Sequence, residues 1–344
     1  MRCTVCGKTI PDTVRYCAYC GAQTRPAAPP RRLSGWAIAL LLAAGLAGGW
    51  LLGGLRPQPA PRVEVVERIV TATSGPSPAS RPPSVSLAPP TPAPSPGMGS
   101  TMVSDRDGMT LVYVPAGEFL MGSAEGDTDA DADEKPQHQV YLDAFWMDRT
   151  EVTTDQYQQC VAAGKCAAPS CRGTGQGNHP VVCVSWQDAA DYCAWAGRRL
   201  PTEAEWEKAA RGTDGRKYPW GNQNVAGDRL NFADRSLDVD WADKNVNDGY
   251  QFTAPVGSYP KGASPYGALD MAGNVWEWVA DWYDENYYSS SPARNPVGPA
   301  SGNSRVLRGG SWVDDQWGVS AAHRFWSLPD YRFDNLGFRC ALSL

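Results

Sequence analysis

Four cysteines near the N-terminus have the spacing of a metal site. Cys3-x-x-Cys6 is followed by Cys17-x-x-Cys20 with ten residues between the pairs, and a glycine comes directly after each pair. Two such turns bring four thiolates together, which suits the tetrahedral coordination of Zn²⁺. Two disulfides in a secreted peptide are the alternative, but no signal peptide precedes the pairs. The sequence therefore predicts a structural zinc module in residues 1–25 that folds only with its metal.

A second group of side chains suited to binding lies in the last forty residues, between two short apolar strands. Trp and Tyr offer a large contact area and a polar tip at low entropy cost. The predicted ligand contacts are Trp312, Asp314, Asp315, Gln316, Trp317, His323, Phe325, Trp326, Tyr331, Phe333 and Asp334. The alternative is that these aromatics fill the core of a domain with few helices.

Charge limits the classes of partner. The formal net charge of the 344-residue chain is -6, so nucleic acid is not an expected partner. Residues 127–134 read DTDADADE. This alternation could bind Ca²⁺, but it lacks the ligand spacing of an EF-hand. A solvated acidic loop is therefore the prediction for this stretch.

A membrane anchor and a spacer are predicted between the zinc module and the rest of the chain. Residues 34–55 contain an uncharged apolar run of 21 residues, long enough to span a bilayer, with Trp36 and Trp50 toward its ends. A cleaved signal peptide is the alternative, but the run starts late and lacks a clear cleavage site. Residues 56–104 are rich in Pro, Ser and Ala, which predicts an extended linker.

These segments predict a single-pass membrane protein. The N-terminal module resembles the zinc ribbons found at the N-termini of many bacterial membrane proteins. Free thiolates favour a reducing compartment, so we expect the zinc ribbon in the cytoplasm and the C-terminal domain outside it.

Residues 105–344 carry the patterns of a folded domain built from short elements. Apolar alternation predicts two strands within 109–123, around a turn at 115–117, and a strand over 139–149. Beyond Gly212 the composition predicts mostly loops and short strands.

Helices must position the binding segment against these strands. Three are predicted, over 150–162, 186–197 and 201–211. Thr153 or Thr154 and Ser185 are candidate N-caps of the first two. Thr202, followed three residues later by Glu205, forms a capping box for the third.

Six motifs resemble, in order, those of the formylglycine-generating enzyme, or sulfatase-modifying factor, family. They are GRRLPTEAEWE at 197–207, YPWG at 218–221, APVG at 254–257, DMAGNVWEW at 270–278, RGGSW at 308–312 and NLGFR at 335–339. The motifs extend over nearly all of residues 109–344. The resemblance implies a C-type-lectin-like α+β fold with little regular structure.

The resemblance also implies two structural Ca²⁺ sites. The implied ligands are Asp270, Gly273, Val275 and Glu277 in one site, and Asn231, Phe232, Asp248 and Tyr250 in the other. Hard oxygen atoms on neighbouring loop residues suit Ca²⁺. The alternative for the first set is that its carboxylates cap the turn at Trp276 without a metal.

A disulfide between Cys193 and Cys340 is implied by the same resemblance, and it suits an extracytoplasmic domain. Four more cysteines follow the apolar run and suggest two further bridges, with three possible pairings. They are Cys160, Cys166, Cys171 and Cys183.

The sequence departs from the family where its enzymes keep two cysteines, just after the Gly-Gly-Ser turn, to bind copper and engage the substrate thiol. The first position is Asp314 here, and the second falls near Gln316 and Trp317, with no cysteine. Without thiolates there is neither a soft Cu(I) site nor a mixed disulfide with substrate. The departure disfavours the family's oxidation of a sulfatase cysteine.

Two function classes remain. The favoured one is a non-catalytic, membrane-anchored module that binds a protein or glycan through its C-terminal loops. The C-terminal motifs Gly-Gly-Ser-Trp and Gly-Phe-Arg also resemble those of the variable proteins of diversity-generating retroelements. In those proteins the residues between the two motifs vary. The alternative is an oxidoreductase of the wider superfamily with an altered site, using Ser311, Asp314, Asp315 and His323. The chain's three scattered histidines disfavour a His-rich iron site.

Overall fold

The computed structural model describes residues 96–170 and 176–344. The four zinc-ribbon cysteines, the apolar run at 34–55, most of the 56–104 linker and Cys171 lie outside these residues. No helix in the described ranges is both long and apolar enough to cross a membrane.

The domain is built from short strands and three α-helices, as predicted for an α+β fold. In chain order they are β1 (Thr101–Val103), β2 (Thr110–Val114), β3 (Gly117–Met121), β4 (His138–Leu142), β5 (Phe145–Asp148), α1 (Thr154–Ala162), α2 (Trp186–Trp195), α3 (Glu203–Arg211), β6 (Trp276–Trp282), β7 (Arg305–Arg308), β8 (Phe325–Ser327), β9 (Leu336–Phe338) and β10 (Ala341–Ser343). Single 3₁₀ turns lie at Ala132–Glu134, Pro260–Gly262 and Tyr287–Ser289.

The strands form three sheets in the described part of the chain. One is antiparallel with the order β1-β2-β5-β10, so the last strand of the domain pairs with an early one. A second is the β3-β4 hairpin. The third has the order β8-β7-β6-β9, in which β6 and β9 run parallel. This third sheet carries the predicted binding segment, because that segment connects β7 to β9.

The prediction of one strand over 139–149 is wrong. The chain forms β4 and then β5, which pair with strands of different sheets. Between them Asp143 leaves the ladder, and its backbone N–H donates to the side chain of Asn295 at 2.9 Å. Apolar alternation continues through both strands, so the pattern alone does not show the change of sheet.

Side-chain caps fix the start of every predicted helix. The hydroxyls of Thr153, Ser185 and Thr202 each accept a hydrogen bond from the backbone N–H three residues on, at 3.2 Å. Each cap is reciprocated by a Gln, Asp or Glu side chain, forming a capping box. The caps predicted at Ser185 and Thr202 are confirmed, and of the two candidates for α1 Thr153 is the cap. The start of the first helix at 150 is wrong, because Thr153 is still extended, with a ψ of 160°, and the helix begins at Thr154.

Helix α3 lies inside the domain with charged as well as apolar side chains buried. Glu203 and Glu207 on this helix meet Arg308 of β7, whose Nη2 lies 2.7 Å from Glu207 Oε2. Arg324 adds a contact of 2.7 Å to Glu203. Unpaired charges at this depth would be very costly, so the ion pairs fix β7 and the segment around Arg324 against α3.

Disulfides tie the sheets to the helices. Cys193 of α2 is bonded to Cys340, with an S–S distance of 2.01 Å. This confirms the bridge implied by the resemblance. Cys160 is bonded to Cys166, and Cys183 is also disulfide-bonded.

Candidate functional site

The Gly-Gly-Ser turn after β7 places Asp314 beneath the surface. Gly310 has a φ of 72°, and a Cβ on it would lie 2.6 Å from the carbonyl oxygen of Gly318, so only glycine fits the turn. The turn brings Ser311 back to Asp314, whose Oδ2 accepts hydrogen bonds from the Ser311 backbone N–H at 3.0 Å and hydroxyl at 2.5 Å. Asn335 donates to the same hydroxyl oxygen at 3.2 Å.

This cluster holds a carboxyl group that titrates near neutrality. Asp314 is only 1% exposed. Burial raises the pKa of Asp314 to about 7, although the hydrogen bonds from Ser311 and the nearby His323 charge lower it. The predicted ligand contact at Asp314 is thus a buried, hydrogen-bonded group in the structure.

The residues around Asp314 divide between interior and surface. Trp312 is buried and packs edge-on against Phe252, with ring centroids 5.1 Å apart. Asp315 is buried, and its Oδ1 accepts from the backbone N–H groups of Trp317 and Gly318, both at 3.1 Å. Gln316 is half-buried, whereas the Trp317 side chain is 42% exposed. Of these predicted contacts, Trp317 is the one most open to a ligand.

His323 lies beside the acidic loop, which we define as residues 127–134. Its Nδ1 is 3.4 Å from Glu134 Oε1 and 3.8 Å from Asp131 Oδ2. Burial alone would lower the pKa of His323, but the hydrogen bond and charge of Glu134 raise it overall. Burial would raise the pKa of Glu134, but the contact with His323 lowers it to about 2. The prediction of a solvated loop is therefore wrong at its end, because Glu134 is buried.

A cleft of about 670 Å³, the large cleft, opens between the acidic loop and the start of β8. Phe325 and Trp326 of the predicted set line it, together with His323. Its walls combine acidic and aromatic side chains, including Asp131, Asp133, Asp284, Glu285, Tyr283 and Trp326. The large cleft is a concave surface with excess negative charge.

A second cavity, the small cleft of about 230 Å³, lies on the other side of the acidic loop. It is lined by Trp317, Lys217 and Asp129, among others. Lys217 Nζ lies 2.9 Å from Asp129 Oδ2, so the acidic loop is tied to this wall. Glu134 borders the small cleft while Asp131 and His323 border the large one.

The remaining predicted contacts lie in the loop between β8 and β9. Tyr331 and Phe333 pack edge-on, with ring centroids 5.7 Å apart, and both are half-buried. Asp334 is exposed. None of these three residues lines the large or the small cleft. The structure therefore spreads the predicted contacts over the two clefts, the interior and this separate loop.

No free thiol is present in the part of the chain that the structure describes. Its cysteines are Cys160, Cys166, Cys183, Cys193 and Cys340, and all of them are disulfide-bonded. Copper-dependent cysteine oxidation needs a thiolate at the reacting site. The described residues do not supply one beside Ser311.

Known families match both ends of the chain. The sulfatase-modifying factor enzyme 1-like domain matches residues 100–344, and a zinc-ribbon domain matches residues 2–24. The C-terminal domain belongs to the sulfatase-modifying factor family. A formylglycine-generating enzyme of Streptomyces coelicolor is 40% identical, over 67% of this chain and 88% of that protein.

Two solved structures extend the family comparison. PvdO from Pseudomonas aeruginosa is 29% identical with a TM-score of 0.63, covering 73% of this chain and 100% of that one. Variable protein 1 of Treponema denticola is 26% identical with a TM-score of 0.56, covering 71% and 98%. The sulfatase-modifying factor fold of this chain is thus shared with an enzyme family and with a protein named for its variability.

One of the two implied Ca²⁺ ligand sets, that of Asn231 and Asp248, contains a buried oxygen without a hydrogen-bond partner among the described residues. Asn231 Oδ1 is buried and has no hydrogen-bond partner among the described residues. Asp248 accepts from the backbone N–H groups of Phe232 and Tyr250, each at 2.9 Å. Burial raises the pKa of Asp248 to about 6. The unpartnered oxygen of Asn231 and the buried carboxyl of Asp248 are hard donors of the kind that Ca²⁺ takes.

The other implied set fits less well. Glu277 is fully occupied: its Oε1 and Oε2 each lie 2.7 Å from Arg339 nitrogens, and Oε2 also accepts from Trp206. Asp270 instead lies close to Glu151, which the sequence analysis missed. Burial and the neighbouring carboxyls raise the pKa of Glu151. A cation here would be held by Asp270 and Glu151 more readily than by Glu277.

Sequence reasoning also missed Asp131 and Glu134 as partners of His323. The signal was the alternating acidic stretch at 127–134. Its pairing with a residue 189 positions further along depends on the tertiary fold, which no local pattern shows.

Proposed function

We propose that the sulfatase-modifying factor domain of this protein is a non-catalytic ligand-binding module. The observation that carries the proposal is the buried Asp314, held by Ser311 where the family's enzymes have a thiol. A carboxylate cannot form a mixed disulfide with a substrate cysteine, and it is not a soft ligand for Cu(I).

The large cleft is the proposed ligand surface. Its acidic side chains give it a negative field, and Trp326 offers an aromatic face beside them. A Lys or Arg side chain gains from both features, through charge pairing and through cation–π contact. We therefore propose a cationic segment of a protein as the ligand class.

Display at a membrane is the second part of the proposal. The apolar run at 34–55 is long enough for one helix, and the linker at 56–104 would hold the domain away from the bilayer. The disulfides of the domain suit an oxidising compartment, whereas zinc thiolates suit a reducing one. Protease added outside intact cells should then remove the C-terminal domain and leave the N-terminal region inside. Protection of the domain in intact cells would contradict this topology.

Sequence diversification is a further proposal, supported by the similarity to Treponema denticola variable protein 1. The proposal predicts where gene copies from different isolates differ. Exposed or half-buried residues such as Trp317, Trp326 and Tyr331 should vary, while the buried Arg308 and Arg324 should not. A neighbouring reverse-transcriptase gene and a near-duplicate of the 3′ coding end would support it. Uniform variation over the whole domain would refute it.

Ca²⁺ is the proposed structural ion of the loops before β6. Asn231 and Asp248, with backbone carbonyls, would hold one ion, and Asp270 a second. Bound there, Ca²⁺ would neutralise buried carboxylates and cross-link loops that have little regular structure. It would stabilise the fold without taking part in ligand chemistry.

A binding experiment tests the ligand class. The full-length protein in detergent is immobilised and exposed to Lys/Arg-rich peptides, to acidic peptides of equal length and to neutral oligosaccharides. We expect retention of the cationic peptides that weakens with added salt, because exposed charge pairs are screened.

Matched variants locate the binding surface. Asp284→Asn combined with Glu285→Gln should reduce retention, since both exposed acids line the large cleft. Asp330→Asn should not, because this exposed acid does not line that cleft. Equal retention by all variants, or preferential retention of neutral oligosaccharides, would overturn the cationic assignment.

An altered oxidoreductase remains the second candidate, favoured by the 40% identity to a formylglycine-generating enzyme. It would have to work without a thiol at position 314.

A further inference from the structure

Three side chains of metal-ligating type meet at the edge of the large cleft. They are Asp131 and Glu134 of the acidic loop and His323 of the segment before β8. One ligand atom from each lies within 4.8 Å of the other two. We propose that Asp131, Glu134 and His323 bind a divalent transition-metal ion of the Mn²⁺ or Zn²⁺ class.

The separations between the ligand atoms are close to those that a shared metal requires. Metal–ligand bonds of about 2.1 Å place neighbouring ligand atoms about 3.0 Å apart in octahedral and about 3.4 Å apart in tetrahedral coordination. His323 Nδ1 lies 3.4 Å from Glu134 Oε1 and 3.8 Å from Asp131 Oδ2. The contact between His323 Nδ1 and Glu134 Oε1 is a long hydrogen bond, so the imidazole nitrogen already faces the carboxylate oxygen that would share the ion. The ligand oxygens of Asp131 and Glu134 lie within 4.8 Å of each other, so side-chain rotation would bring all three atoms onto one ion.

Surrounding hydrogen bonds already orient two of the ligands. Glu134 Oε2 accepts from the Ser123 hydroxyl at 2.7 Å, and Oε1 accepts from the Asp131 backbone N–H at 3.1 Å. The His323 carbonyl accepts from Arg308 Nη1 at 2.8 Å, which fixes the backbone that carries the imidazole. Outer contacts of this kind hold metal ligands in place. The side chain of Asp131 is 28% exposed, so an ion can enter from the large cleft.

The donor set decides which metal class fits. Two carboxylates and one imidazole suit Mn²⁺, Zn²⁺ and similar dications, whereas Cu(I) prefers sulfur. The ion would connect the acidic loop to a residue 189 positions further along the chain. It would thereby fix one wall of the large cleft.

Manganese titration of the full-length protein tests the site. The zinc ribbon is kept loaded with Zn²⁺ and the buffer contains saturating Ca²⁺, so that Mn²⁺ reports on neither. Electron paramagnetic resonance measures free Mn²⁺ as protein is added. We expect one bound Mn²⁺ per chain, with affinity reduced at least about tenfold in Asp131→Asn, Glu134→Gln and His323→Gln.

Control variants distinguish coordination of Mn²⁺ by these three side chains from nonspecific attraction to the acidic loop. Asp133→Asn changes the same loop at a carboxylate that contacts Tyr283 instead, and it should bind Mn²⁺ within about twofold of wild type. Pulsed resonance should show coupling of the bound Mn²⁺ to an imidazole nitrogen, lost in His323→Gln. If the buried variants fail to fold, the partly exposed Asp131→Asn and the nitrogen coupling decide.

The proposal would be overturned if Asp131→Asn bound Mn²⁺ with wild-type affinity or if Asp133→Asn weakened Mn²⁺ binding equally. Absence of nitrogen coupling to the bound Mn²⁺ would also overturn it. Its failure is distinct from failure of the proposed function. The peptide-binding variants at Asp284 and Glu285 should leave Mn²⁺ affinity unchanged.

Discussion

Replacing Asp314 with Asn should remove one defined part of the pH dependence of stability. Burial raises the pKa of Asp314 from 3.8 to about 7 in the folded protein. The contribution of this group to stability is therefore greatest at pH below about 4 and is lost as the pH rises through 7. Above pH 7 the folded protein must hold an ionised carboxylate that is only 1% exposed.

The size of the effect follows from the two pKa values. A shift of about three units in the pKa of Asp314 corresponds to a free energy of about 4 kcal/mol, at about 1.4 kcal/mol for each unit. Between pH 5 and pH 8 the linkage relation assigns about 2–3 kcal/mol of lost stability to Asp314. Asn cannot ionise, yet its side-chain oxygen can still accept the hydrogen bonds from Ser311. The substitution's effect on packing is the same at both pH values and cancels in the comparison.

Urea unfolding of the full-length protein, followed by tryptophan fluorescence, measures the free energy of unfolding at pH 5 and pH 8. The wild type should lose about 2–3 kcal/mol more than Asp314→Asn over this interval. Ser311→Ala should have the opposite effect, because it removes a hydroxyl that favours the ionised carboxylate of Asp314. This variant should lose more stability than the wild type between pH 5 and pH 8. If wild type and Asp314→Asn lose the same stability within about 0.5 kcal/mol, the account of this cluster is refuted.

Three further predictions concern stability, and urea unfolding of the full-length protein measures each. The Cys193–Cys340 bridge spans 147 residues and the Cys160–Cys166 bridge spans 6, so replacing the first pair by Ala should cost about 5 kcal/mol and the second about 2 kcal/mol. Equal losses would contradict the chain-entropy explanation. Arg308→Met should cost about 3–5 kcal/mol, since it removes a buried partner of Glu203 and Glu207 and the donor to the carbonyls of Ala321, Ala322 and His323, and a near-neutral result would show that Arg211 and Arg324 compensate the two carboxylates. Removing Ca²⁺ with EGTA should lower stability, and Ca²⁺ at a hundred times its dissociation constant should restore about 2.7 kcal/mol. No response to Ca²⁺ would exclude a structural role for this ion.

Local sequence patterns predicted the features whose causes are local. The caps at Thr153, Ser185 and Thr202 depend on residues three positions away; Ser185 and Thr202 were predicted, and Thr153 was one of two candidates. The Cys193–Cys340 bridge came from the family resemblance rather than from any local pattern.

Features that depend on distant partners could not be predicted in this way. Aspartate is usually a surface residue, yet the Gly-Gly-Ser turn buries Asp314 against Ser311. The acidic stretch at 127–134 has the composition of a solvated loop, yet Glu134 is drawn inward by His323. In both cases a partner brought near by the fold compensates a buried charge, and composition does not show that partner.

The proposed binding function requires that this domain does not oxidise cysteine. The most direct test incubates the full-length protein, supplied with Cu(I) and oxygen, with a peptide that carries a sulfatase cysteine motif. Mass spectrometry then follows the peptide, with a formylglycine-generating enzyme as the positive control. We predict that the cysteine remains unconverted in the presence of this protein. Catalytic turnover of the cysteine to formylglycine would contradict the account and establish the domain as an enzyme.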